Sequence, residues 1–127
     1  MGKRVLLVED DRDFAESVAS NLDNAGYSLL GVAHSGLEAF QLCEGRRPDV
    51  ALIDIGLEGA FDGIFLGQQL FERGIPVIYL TGRFERALQE GRSHAAALLS
   101  KPCTLAELTG AIEQATGDGP ATANGAG

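Results

Sequence analysis

The chain has 127 residues, 45% of them hydrophobic, with 10 basic against 18 acidic side chains and a formal charge of -8. That length supports one core rather than two, and the acidic balance leaves no basic excess to neutralise nucleic-acid phosphates. No apolar stretch approaches the roughly 20 residues of a membrane span, and Met1-Gly2-Lys3-Arg4 leads straight into a strand-length apolar run rather than a signal peptide, so a cytoplasmic location is expected.

In chain order, the first apolar run, Arg4 to Val8, stops abruptly at Glu9, Asp10 and Asp11. Phe14, Val18, Leu22 and Ala25 then form one helical face, and Gly26 ends it as a C-terminal cap. Leu29 to Ala33 reads as a second strand. Ser35 can cap the next helix, whose face is Gly36, Ala39, Phe40 and Cys43. Val50 to Ile53 is a third strand and closes on Asp54. Asp62 can cap a helix running through Leu70, and Val77 to Leu80 is a fourth strand ending in Thr81-Gly82. A weak helical signal lies near Glu85 to Gly91. The fifth strand, Ala97 to Leu99, ends in Ser100-Lys101-Pro102, and Leu105, Leu108 and Ile112 make a last helix after Thr104. Residues 117–127, rich in Gly and other small residues, cannot bury enough apolar area to order themselves and are expected to form a disordered tail behind a domain spanning 3–116. Cys43 and Cys103 show no paired metal or redox spacing and read as reduced small hydrophobes, Cys43 in the core. His34 and His94 lack acids or cysteines at ligand spacing and are assigned to the surface.

Strands that are apolar almost throughout belong to a parallel sheet covered on both faces. With right-handed crossovers, the arrangement predicted is a doubly wound three-layer α/β sandwich with strand order 2-1-3-4-5, the flavodoxin-like order. Ligands of such sheets bind beyond the carboxyl ends of the strands at the switch point, here between the first and third strands. Glu9, Asp10 and Asp54 meet there. Like charges that close demand a compensating cation, and hard oxygen donors in small number favour Mg2+ beside a phosphate. Asp54, on the central strand, is the candidate nucleophile that would form an acyl phosphate, with Glu9 and Asp10 holding metal. Thr81 and Lys101 would grip the phosphoryl oxygens. Each residue also has a plainer reading: Glu9 and Asp10 as acids favoured at a helix start, Asp54 as a turn residue, Thr81 as a cap and Lys101 as a solvated lysine. Asp11 or Asp13 is assigned to capping and left out of the site.

Taken in order, Val-Glu-Asp-Asp at 8–11, Asp54, Thr81 and Lys101-Pro102 resemble a response-regulator receiver domain of bacterial two-component signalling, over about residues 3 to 115. The resemblance implies that Asp54 accepts a phosphoryl group from the phosphohistidine of a histidine kinase or a histidine phosphotransfer protein. It implies Mg2+ ligation by Asp10 and Asp54 directly, by Glu9 mainly through water, and by the backbone carbonyl of Gly56. Thr81 and Lys101 would engage the phosphoryl group, the Lys101-Pro102 bond would be cis, and a downstream protein would read the face of the fourth helix, fifth strand and last helix. The chain departs from the family at three places: Leu98 stands where an aromatic is usual, Cys103 follows Pro102 in place of the commoner Phe, and the loop from Ile55 to Phe61 is one residue longer.

Three other functions compete with a phosphorylation-controlled switch, which is a signalling module rather than an enzyme. A degenerate receiver would bind partners without being phosphorylated. An aspartyl-phosphate phosphatase of the haloacid-dehalogenase type would need a second acid two residues after its nucleophile, where this chain has Gly56. A flavin- or nucleotide-binding domain would need a phosphate-cradling loop where this chain has carboxylates.

Overall fold

Side chains alternate across a strand, so a sheet whose strands are apolar at nearly every position must be covered on both faces. The computed structural model, which describes residues 3–57, 62–82 and 87–117, has that arrangement. Strands β1 (Arg4–Val8), β2 (Ser28–Ala33), β3 (Val50–Asp54), β4 (Val77–Thr81) and β5 (Ala97–Ser100) alternate with helices α1 (Arg12–Asn24), α2 (Gly36–Leu42), α3 (Gly63–Glu72), α4 (Ala87–Gly91) and α5 (Leu105–Ala115). All pairings are parallel, in the order β2-β1-β3-β4-β5. Alternate residues of each strand feed two separate cores. Leu6, Val8, Ala51, Ile53, Val77 and Tyr79 pack with Ala39, Leu66 and Leu70 on one side. Val5, Leu7, Val50, Leu52, Ile78 and Leu80 pack with Ala15, Val18, Leu22, Leu108 and Ile112 on the other.

The helix starts fall where short polar side chains can satisfy free backbone N–H groups. Asp11 accepts from the Phe14 N–H at 3.1 Å, Ser35 from Glu38 at 3.2 Å and Asp62 from Phe65 at 2.9 Å, while Thr104 and Glu107 form a reciprocal capping box. Of the two acids considered for the first cap, Asp11 serves. Gly26, at φ 95°, follows the end of α1, which places Ala25 at the cap rather than on the helical face. Helix α3 runs two residues beyond Leu70. Cys43 and Cys103 are free thiols, both half-buried against the cores. The fourth helix is a five-residue π-helical turn; residues 85–86 of its expected span, loop residues 58–61 and residues 118–127 of the expected tail lie outside the described residues.

His94 is not a surface residue. It is 8% exposed, its Nε2 lies 2.5 Å from the Tyr79 hydroxyl in the middle of the fold, and its ring packs edge-on to Tyr79 and against Phe71. The linear sequence carries no sign of this pairing because β4 and the segment before β5 become neighbours only when the parallel sheet assembles. His34 is half-buried, with Nδ1 2.9 Å from the Glu9 carbonyl oxygen.

Among the described residues Tyr79 is the largest fully buried side chain, and two glycines make room for it. A Cβ at Gly67 on α3 would meet the Tyr79 hydroxyl oxygen at 2.0 Å, and one at Gly91 on α4 would meet its ring at 2.7 Å. Replacing a helical glycine by alanine ordinarily gains about 1 kcal/mol, whereas forcing atoms into a packed core costs about 1–3 kcal/mol. The ring is pinned by its bond to His94, so the clash dominates: Gly67→Ala is expected to lower the urea midpoint. In a Tyr79→Val background the same change is expected to be neutral or stabilising, and additivity of the two changes would refute the steric account.

Burial holds the His94 imidazole below its ordinary value of 6.5. An unfolded chain takes up that proton near pH 6.5 while the folded one resists it, so this group's stabilisation is complete above about pH 6.5 and is lost as pH falls below it. The stability gap between wild type and His94→Gln should therefore narrow between about pH 7.5 and about pH 5.5. A constant gap in denaturant titrations would contradict this.

Candidate functional site

Two strand ends supply the three acids of the cluster. Glu9 and Asp10 follow β1, and Asp54 is the last residue of β3, the next strand in the sheet. One carboxylate oxygen from each of the three lies within 4.8 Å of the others. Their environments differ: Glu9 is 1% exposed and Asp54 8%, while Asp10 faces solvent. Asp54 accepts the Gly56 N–H at 3.0 Å, and Glu9 accepts the Asp11 N–H at 3.0 Å. Glu9 is fixed further by backbone bonds, its N–H to the Ala33 carbonyl at 2.9 Å and its carbonyl to His34.

Lys101 reaches this cluster from β5. Its Nζ lies 2.6 Å from Glu9 Oε1 and 3.6 Å from Asp54 Oδ2. Burial pushes the Glu9 carboxyl up to about 7, and the Asp54 charge adds to the push, although the Lys101 ammonium and the Asp11 N–H act against it. Desolvation thus outweighs one cation at close range. Thr81 closes β4; Asp54 registers with Leu80, and the Lys101 N–H donates to the Thr81 carbonyl at 2.9 Å, so Thr81 sits between the strand of Asp54 and the lysine. Its side chain is buried. The Lys101-Pro102 peptide is cis.

The donor set suits a hard divalent cation: carboxylate oxygens only, converging, with an exposed member beside two buried ones. Among the described residues, Glu9, Asp10 and Asp54 form the group able to hold one. Gly56 lies in the turn after Asp54, and a Cβ there would touch Asp54 Oδ1 only at an ordinary 3.5 Å, so space alone does not demand glycine. Gly63 is different. A Cβ there would collide with the Asp54 carbonyl oxygen, because the first turn of α3 rests directly on the backbone of Asp54.

The sequence profile of the response regulator receiver domain matches residues 5–113. The chain belongs to that family. Among curated proteins, this receiver is 34% identical over 116 residues to the transcriptional regulatory protein PdtaR of Mycobacterium tuberculosis, covering 89% of this chain and 56% of that one. It is 31% identical over 117 residues to the phyllosphere-induced regulator PhyR of Methylorubrum extorquens, covering 91% and 44%. The receiver thus spans about half the length of these relatives. Among solved structures, the signal receiver domain of a modulated diguanylate cyclase from Desulfovibrio desulfuricans superposes with a TM-score of 0.83 at 34% identity, covering 91% of this chain and 94% of that one.

Two contacts of the site escape linear reading. Phe14, assigned only to the core face of α1, also places its ring 4.5 Å from Lys101 Nζ, a cation–π contact. The spacing that makes Phe14 a core residue also puts it on the first turn after the acidic run, which was the available clue. Leu98, at the position where the family carries an aromatic, is the register partner of Tyr79. The aromatic bulk of this region therefore stands one strand over, on β4.

Removing the lysine isolates the charge balance. Lys101 is 22% exposed, so Lys101→Met is expected to cost about 1–2 kcal/mol, less than the roughly 3–5 kcal/mol of breaking a fully buried pair. The group whose pKa it lowers is Glu9, so the loss should be larger above pH 7 than below it, where Glu9 takes up a proton. Urea midpoints of both proteins in metal-free buffer on either side of pH 7 measure it, and a loss that grows as the pH drops would contradict this assignment.

Proposed function

We propose that this receiver is a phosphoacceptor switch in two-component signalling, with Asp54 as the acceptor. The reading is carried by one observation, the convergence of the Asp54 carboxylate with two further acids and the Lys101 ammonium beyond the central strands. Asp54 Oδ attacks the phosphorus of a phosphohistidine on a histidine kinase or histidine phosphotransfer protein. The P–N bond breaks, the imidazole leaves with the bonding pair, and an aspartyl phosphate results.

Asp10 and Asp54 would hold Mg2+ directly, Glu9 would act mainly through water, and Gly56 would contribute its backbone carbonyl. Bound there, the cation supplies positive charge against the transferring phosphoryl group. Lys101, now nearer Glu9 than Asp54, turns its ammonium to a phosphoryl oxygen, and the Thr81 hydroxyl takes another. Phosphorylation then biases the face of α4, β5 and α5, where Leu105 is exposed, toward a downstream protein. We read 3–116 as the functional unit and place it in the cytoplasm, where a phosphohistidine donor and Mg2+ are at hand.

Intact mass after incubation with acetyl phosphate and Mg2+ tests the assignment. One added phosphoryl group is expected in the wild type, none in Asp54→Asn, and much slower addition in Asp10→Asn or when the metal is chelated. A wild type that stays unmodified under conditions that preserve acyl phosphates would instead identify a degenerate receiver that acts by binding alone.

A further inference from the structure

Asp10 is the least anchored member of the acidic cluster. It faces solvent, and among the described residues its carboxylate has no hydrogen-bond or ion-pair partner. Its place is therefore set by the backbone on either side. After it, the Asp11 N–H donates to Glu9 Oε2 at 3.0 Å, and the Asp11 side chain caps α1. Before it, the Glu9 carbonyl oxygen lies 2.9 Å from His34 Nδ1. Each of the two peptide groups flanking the Asp10 Cα is thus held by a side chain, and with them the two dihedrals that aim its carboxylate.

His34 takes this part because of where the ladder between β1 and β2 stops. The Glu9 N–H donates to the Ala33 carbonyl at 2.9 Å, and two residues on the chain already turns into the Ser35 cap of α2. The Glu9 carbonyl is left beyond the paired strands, where the imidazole meets it. A carbonyl oxygen can only accept, so Nδ1 carries the ring hydrogen and donates it. His34 is itself fixed, its backbone N–H donating to Glu38 Oε1 at 2.6 Å. The ring lines two clefts, one with Arg12, Ala15 and Ala19 of α1 and the other with Gln41 and Leu42 of α2. It is wedged into neither core, and the donated hydrogen is its main contribution.

We propose that His34 is a positioning residue for the cation site: by donating to the Glu9 carbonyl it orients the Glu9–Asp10 peptide and keeps Asp10 ready for Mg2+, a role that depends on the metal assignment proposed above. Groups that orient metal ligands from behind tune affinity by roughly tenfold to a hundredfold. A single neutral hydrogen bond acting through the backbone belongs at the lower end of that range.

Mg2+ titrated into the full chain, followed by amide NMR at residues 9–11 and 54–56, tests the role. His34→Phe keeps a ring but loses the donor, His34→Ala loses both without adding bulk, and His34→Asn has an amide nitrogen able to stand in for Nδ1. Expected is Mg2+ affinity about tenfold weaker in His34→Phe and His34→Ala, and within about threefold of wild type in His34→Asn. A merely structural role would not follow the donor in this way. Equal affinity in all four proteins, or an equal loss in all three variants, would overturn the role. Absence of Mg2+ shifts in the wild type would sink the metal assignment and the role of His34 together. A wild type that binds Mg2+ in this donor-dependent way, yet takes no phosphoryl group from acetyl phosphate, would bear out the role and overturn only the acceptor assignment of Asp54.

Discussion

Three carboxylates gathered at the ends of two neighbouring strands repel one another, and one of them, Glu9, is held where water cannot screen it. The sheet topology imposes this: β1 and β3 are adjacent, both are apolar along their buried length, and the acids come where the apolar pattern stops. A single ammonium, Lys101, offsets the repulsion in part, yet burial still raises the Glu9 carboxyl. The site therefore holds a standing demand for positive charge. A cluster of this kind gives up stability for affinity, and what relieves it, a cation or a rearranged lysine, gains a hold on the surrounding loops. The remaining features of the rim serve to keep the acids where they are: the Gly63 contact under Asp54, the backbone bonds of Glu9, and the Phe14 ring beneath the lysine.

Much of this was legible in the sequence, for reasons of range. Strand positions came from apolar runs of four or five residues, and their parallel pairing from the lack of alternation within them. Helix starts came from Asp11, Ser35, Asp62 and Thr104, whose side chains act on backbone groups three residues away. Asp54 and Thr81 stand at the last positions of their strands, so their places on the same rim follow once strand order is known. All of these signals are local or follow from topology.

What escaped was contact between side chains from elements distant in the chain. The ring of Phe14 is separated from Lys101 by most of the sequence, and no periodicity distinguishes a phenylalanine that only fills a core from one that also touches an ammonium. His94 was misassigned because a lone histidine without acids nearby in sequence looks solvated, whereas its partner is a tyrosine on the adjoining strand. The π-helical form of α4 over Ala87–Gly91 escaped as well. Its last residue, Gly91, lies against the Tyr79 ring, a constraint that cannot be seen from within the segment itself.

Tyr79 sets the spacing of one whole side of the molecule. With its hydroxyl against Gly67 and its ring edge against Gly91, it acts as a gauge block between the sheet and two helices that carry no side chain of their own at the contact. Positions 67, 79 and 91 therefore behave as a single locus. Anyone splicing segments of this domain into a related scaffold must move all three together, since a chimera that inherits the tyrosine without both glycines would have its third or fourth helix pried off the sheet.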